Sequence, residues 1–273
     1  MKAAKALYAT LIVIFLVAPL LVILPLAFTS SAFLTYPIPA FSFRWFSELA
    51  NNATWNRAIL NSAIIASSTT VLATLLGTLA ALGLRSRDLY LKNQLRTLFL
   101  LPMVVPAVVL GVGMQAMFVR LGINSTYFSV IVAHSVIALP FVVISVSGAL
   151  AGVDRRVERA AESLGASPWR VFRLVTLPLA MPGVLSGAAL AFATSLDEVV
   201  LTLFVAGPNQ RTLARQMFST LRENISPAIA SAAFIIIMGT IVIAAALLLA
   251  RLAPARQKAR AKKAAALAQD TVS

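Results

Sequence analysis

The chain has 273 residues, 60% of them hydrophobic and only 12% charged, about half the charged fraction of a soluble domain. Its net charge of +14 comes with no basic stripe and interleaved aromatics, which argues against a nucleic-acid partner. The lack of cysteine excludes disulfides and thiolate chemistry, and one histidine cannot build a metal cluster, so no metal site is expected.

Six apolar segments are long enough to cross the hydrocarbon core: 7–29, 58–84, 97–119, 127–150, 181–205 and 227–252. They predict an all-α polytopic membrane protein in which residues 1–273 form one transmembrane domain. The first segment follows Lys2 and Lys5 as a signal peptide would. It is longer than a signal h-region, contains Pro19 and Pro25, and precedes no small-x-small cleavage site, so it is read as a retained span. Segment 30–55 carries Pro37, Pro39, Phe41, Phe43, Trp45 and Phe46, the composition of a partly ordered cap at the membrane interface. The third span holds Pro102, Pro106, Gly111 and Gly113, and the fourth holds Pro140. Such breakers persist at membrane depth where packed helices or a polar cavity satisfy the freed backbone. Asn61, Gln115 and His134 are read first as polar helix–helix contacts.

Lysine and arginine set the orientation. Lys2, Lys5, Arg85, Arg87, Lys92 and Arg96 fall on one side, with Arg155, Arg156, Arg159, Arg170, Arg173 and the basic tail 253–273. The other side keeps Arg44, Arg57, Arg120, Arg211, Arg215 and Arg222 and no lysine. The positive-inside bias predicts a membrane protein with both termini cytoplasmic. The tail is expected to lie at the anionic membrane surface.

Between spans four and five, segment 154–180 is too long and too patterned for a simple turn. Val157, Ala161 and Leu164 share one helical face, and Gly165 can end that helix at positive φ. Ser167 is placed to cap a second short helix with Pro168 at N1, followed by Trp169 and Phe172 on one side. Pro178 and Pro182 bracket its exit towards the fifth span. This helix–turn–helix is expected to lie along the membrane with apolar residues outward. It is either a docking element for a cytoplasmic partner or an amphipathic loop resting on lipid.

The segment resembles the EAA loop of permease subunits of ATP-binding-cassette importers, with Ala160, Ala161, Gly165, Val175, Leu177 and Pro178 at the matching spacings. Arg159 stands where that pattern has glutamate. Glu158 and Glu162, one helical turn apart, are the candidates to take its place. The likeness extends to Asn61-Ser62, Leu101-Pro102, Pro106 and the six-span topology. It implies a transport subunit and not an enzyme, with Glu158, Ala160, Ala161, Glu162, Gly165, Ser167, Pro168 and Trp169 coupling it to a cytoplasmic ATPase dimer. It also implies a second permease subunit, a distinct paralogue, and an external substrate-binding protein. No G-x-x-x-x-G-K-[ST] sequence occurs, so the chain is expected to hold no cofactor, ATP and Mg being bound by the partner.

Asp197 and Glu198 lie within the fifth apolar segment, where each acid costs roughly 2.5–3.5 kcal/mol near a helix centre. One reading is a structural pair with Arg211, Arg215 or a partner's arginine. The other is a cation site on a substrate path. The surrounding SLDEVVLTLFVAG, Thr212-Leu213 and Ile225-Ser226-Pro227 resemble permeases of the spermidine/putrescine subfamily. That resemblance implies polyamine import, with other amines, opines, amino acids and phosphonates as alternatives. A secondary transporter would be expected to show repeated hydropathy halves, which are not evident.

Overall fold

In the computed structural model, residues 2–86, 89–223, 225–246 and 249 are described, residues 2–4 by their backbone alone. The basic tail 253–273 and the end of the sixth predicted span lie outside the described residues. The chain forms two compact units, Met1–Ser62 with Arg211–Gly239, and Ala63–Gln210 with Thr240–Ser273.

In the first unit, α1 (Lys2–Leu26) is apolar from Ala6 onward and leaves nearly every described side chain exposed. That is what a lipid- or subunit-facing helix requires, because no apolar face needs internal burial. The predicted interfacial cap is ordered. Phe28 stacks on Phe41 at 4.8 Å and meets Phe43, Phe46 and Phe234 edge-on or tilted. Trp45 Nε1 donates to the Ser31 carbonyl at 3.1 Å. α2 (Arg44–Asn51) buries Trp45 and Leu49 in a core with Trp55, Ala58, Leu213, Ala228 and Ala232. Asn61 Nδ2 donates to the Arg211 carbonyl at 2.9 Å, and Ser62 Oγ accepts from the Leu213 N–H at 2.8 Å. Asn61 is therefore a packing residue, as expected.

α3 (Ala53–Arg85) matches the second predicted span. The third is not a straight helix. α4 (Lys92–Leu100) runs through a 3₁₀ turn, Leu101–Met103, and α5 (Ala107–Arg120) leaves at 101°. Pro102 and Pro106 supply no N–H, and the ring of Pro106 disfavours a helical Val105, so the ladder stops between them. Five described helices can each cross a membrane, and the bent pair makes a sixth if it counts as one span. α6 (Tyr127–Ala151) starts with a capping box, Thr126 Oγ1 accepting from the Ser129 N–H at 3.1 Å.

The loop after α6 begins as predicted. α7 (Arg155–Ser163) is capped by Asp154, whose Oδ1 accepts from the Arg156 N–H at 2.8 Å. It ends at Gly165, φ +84°, with Gly165 N–H to Glu162 O (2.9 Å) and Ala166 N–H to Ala161 O (3.1 Å). These two bonds form a Schellman motif.

Two expectations fail beyond that point. Ser167 occupies the N-cap position, but its side chain makes no capping bond. The second helix is also not separate from the fifth span. α8 (Pro168–Val171) passes through a π turn, Phe172–Thr176, into α9 (Leu177–Asp197), giving one apolar helix, Pro168–Asp197. The wide turn absorbs the N–H missing at Pro178, and Pro182 is carried inside the helix. The fifth span thus begins earlier than predicted and ends at Asp197. α10 (Val200–Val205) follows a break, and then come α11 (Leu213–Glu223) and a helix over Ala228–Ala246, α12.

α9 packs on α6 through Gly183 and Gly187, a G-x-x-x-G pair. A Cβ on Gly183 would lie 2.5 Å from Ala149 Cβ and 2.6 Å from the Ser145 carbonyl. Only hydrogen allows the two backbones this close, the usual basis of helix pairing in lipid.

Candidate functional site

The loop residues form a strapped surface element. Glu158 is held by the Arg85 guanidinium and accepts from Thr176 Oγ1 at 2.6 Å. Arg85 Nη2 also donates to the Val153 carbonyl at 2.9 Å, and the Arg155 guanidinium donates to the Arg85 carbonyl. One carboxylate therefore ties α7 to the end of α3 and to the π turn that opens the fifth span. Arg85 and Glu158 are 15% and 17% exposed, so solvent screens the pair less than a surface bridge. Of the two acids proposed to replace the missing motif glutamate, Glu158 makes this contact, whereas Glu162 is exposed.

Outward from the straps, the element offers apolar side chains to solvent. Leu164 is 89% and Trp169 66% exposed, with Trp169 against Phe172 at 5.3 Å between ring centroids. Ala160, Gly165, Ser167 and Pro168 are also exposed, and Ala161 is half-buried. A short helix, a tight turn and an aromatic step thus form an exposed, partly apolar surface that is fixed from behind by an ion pair.

The predicted acids lie at the break between α9 and α10. Asp197 ends α9 with an exposed side chain, while Glu198 adopts an extended backbone, φ −75° and ψ 109°. Glu198 Oε1 accepts from the Leu201 N–H at 2.7 Å, which places its carboxylate on the amino end of α10. The two acids therefore differ in role: Glu198 satisfies a helix terminus, and Asp197 is open.

His134 clamps the same break. Its Nδ1 lies 2.9 Å from Ser195 Oγ on α9, and its Nε2 lies 2.9 Å from Thr202 Oγ1 on α10. Thr202 donates its hydroxyl hydrogen to the Glu198 carbonyl at 3.0 Å. The fully buried ring is a helix–helix contact, as the sequence predicted. The contacts of Arg85 and Thr176 with Glu158 were not legible in the sequence, where Arg85 carried only a topology signal.

A profile of the family described as binding-protein-dependent transport system inner membrane component matches residues 73–258, which include both sites. The chain belongs to this family. The permease is 32% identical over 245 residues to the spermidine/putrescine transport system permease protein PotC of Escherichia coli (strain K12), covering 89% of this chain and 92% of that one. It is 34% identical over 230 residues to the putrescine transport system permease protein PotI of the same organism, covering 82% of each. The molybdenum transport system permease protein ModB of Mycobacterium bovis is 35% identical over 236 residues, 80% of this chain and 89% of that one. A crystal structure of a bacterial ABC transporter involved in import of the acidic polysaccharide alginate matches with TM-score 0.67 and 17% identity, over 93% of this chain and 96% of that one. At that identity the fold is what is shared. The permease is a multi-pass inner-membrane subunit of an ABC importer and is not an enzyme.

Proposed function

We propose that this permease forms one half of the membrane pathway of a polyamine importer. A distinct second permease supplies the other half, a cytoplasmic ATPase dimer binds ATP and Mg, and an external binding protein delivers substrate. Both termini lie in the cytoplasm in this reading, which the distribution of lysine and arginine supports. Transport follows alternating access, driven by ATP binding and hydrolysis in the partner.

The observation that carries the coupling role is the exposed Leu164–Trp169 surface, backed by the Glu158–Arg85 strap. For the substrate, the similarity to PotC and PotI favours spermidine or putrescine. Asp197, exposed at the break of the fifth span, gives an ammonium group an opposite charge to meet. The similarity to ModB keeps an oxyanion as the second reading, although a carboxylate beside the path opposes it.

The test is uptake by proteoliposomes holding the permease pair, its ATPase and its binding protein. ATP-dependent uptake of labelled putrescine or spermidine is expected, with Asp197→Asn lowering it at least tenfold. Uptake of molybdate without polyamine would refute the substrate reading, and polyamine uptake indifferent to Asp197→Asn would return that acid to a structural role.

A further inference from the structure

A second feature lies beside the strapped element, on the side of α7 that faces α4 and α6. A cavity of about 810 Å³ opens between the end of α3, α4, α6 and the start of α7. Its lining carries Arg85, Lys92, Arg96, Arg155 and Arg159. The one carboxylate there among the described residues, Asp154, caps α7. Arg85 is matched by Glu158, and Arg155 is directed at the Arg85 carbonyl. Lys92, Arg96 and Arg159 meet no carboxylate among the described residues; Lys92 Nζ reaches only the Ser86 carbonyl, at 3.2 Å. Lys92 and Arg96 stand four residues apart on one face of α4, a like-charge pairing that costs a helix stability unless an anion sits between them.

The same lining includes apolar side chains, Leu100, Val143 and an exposed Ile144 among them. A cavity lined by both a cluster of cations and apolar side chains matches a molecule with an anionic head and an acyl tail. Depth in the bilayer agrees. α3 has 33 residues and so is about 50 Å long. That exceeds the roughly 30 Å hydrocarbon core, and its Arg85 end therefore reaches headgroup level. The bend at Pro102–Pro106 turns α4 away from the direction of α5, so that its Lys92–Arg96 face borders the cavity.

We propose that this cavity binds one anionic phospholipid of the cytoplasmic leaflet, its phosphate held by Lys92, Arg96 and Arg159 and an acyl chain laid along Leu100, Val143 and Ile144. The leaflet assignment rests on the orientation given above; the site itself does not depend on the transported substrate.

Native mass spectrometry of the purified permease, titrated with phosphatidylglycerol and with phosphatidylcholine, tests this without any transport readout. Phosphatidylglycerol is expected to bind at least tenfold more tightly. The triple variant Lys92→Gln/Arg96→Gln/Arg159→Gln should lose about fivefold per cation removed, on the order of a hundredfold in all. Arg120→Gln, at the other end of the bent pair, should bind as the parent does, and Arg96→Lys should retain most of the affinity. Equal affinity for the two lipids, or an unaltered affinity in a monodisperse triple variant, overturns the proposal. Competition by free glycerol 3-phosphate as strong as by the lipid would make this a soluble-anion site. Displacement of the lipid by the ATPase subunit would make it a protein interface. Either outcome also overturns the proposal.

Discussion

Replacing Glu158 with alanine should remove two of the contacts that strap α7, leaving the Arg155 guanidinium on the Arg85 carbonyl. The carboxylate receives the Arg85 guanidinium and Thr176 Oγ1, at 2.6 Å, and both partners remain after the substitution. A fully exposed ion pair contributes about 0–1 kcal/mol, whereas breaking a fully buried one costs about 3–5 kcal/mol. At 15% and 17% exposure this pair lies between those limits, and the Thr176 bond adds the roughly 1.5–3 kcal/mol of a hydrogen bond to a charged group. Arg85 keeps its bond to the Val153 carbonyl, which limits the loss. A destabilisation of about 2–3 kcal/mol for the docked position of α7 follows, or roughly 30- to 150-fold in its docked-to-released ratio.

Hydrogen exchange of the α7 amides reads that ratio directly. Protection across the helix should fall by about one and a half to two decades, while α6 and α9 stay unchanged. Glu158→Gln, which keeps an acceptor for Thr176 but loses the charge, should fall between parent and alanine variant. Glu162→Ala should have no effect, because that side chain is exposed. Equal loss of protection from Glu158→Ala and Glu162→Ala would refute the strap, as would a Glu158→Ala helix with undiminished protection.

Gly183→Ala drives a Cβ to 2.5 Å from Ala149 Cβ and 2.6 Å from the Ser145 carbonyl, and should cost about 1–3 kcal/mol. Gly113→Ala, whose Cβ meets nothing within 4 Å, should be neutral or stabilising by up to about 1 kcal/mol; thermal unfolding in nanodiscs reads the opposite signs. Gly165→Val forces a β-branched residue to φ +84° with open space around it, so its cost is backbone strain alone, about 1–2 kcal/mol. It should lower transport per ATP hydrolysed, whereas Gly165→Asn should retain coupling, and normal coupling in Gly165→Val would refute the Schellman turn as a docking element.

What the sequence disclosed, and what it withheld, follows from the range of each interaction. Gly165 was legible because a glycine just past a helical pattern has one common use, and Pro102 with Pro106 marked a break because a missing N–H is a local fact. The 101° bend was not legible, since its angle depends on what α4 and α5 pack against. Pro178 and Pro182 misled for a related reason. A proline reads as a stop, but the π turn at Phe172–Thr176 lets the helix continue, and nothing in FRLVT advertises that turn. The Arg85–Glu158 contact joins residues 73 positions apart, and an arginine at the end of a span is already explained by topology. The capping contact of Glu198 was not legible, because no glycine or proline announces the break before α10.

The continuity of Pro168–Asp197 changes how the two sites relate. A helix of 30 residues is about 45 Å long. It has Trp169 exposed at one end and the Asp197–Glu198 break at the other. Near its first end lies the π turn, where Thr176 holds Glu158; along its middle, Gly183 and Gly187 lock it to α6; at its far end, His134 bridges from α6 to both sides of the break. In the proposed coupling role, a push on Trp169 cannot dissipate in a flexible loop, because no loop separates the docking surface from the span. The ladder's weak points are the π turn and the break, each pinned by a polar side chain. Movement is therefore expected to concentrate at those two points, with the glycine-packed middle moving together with α6.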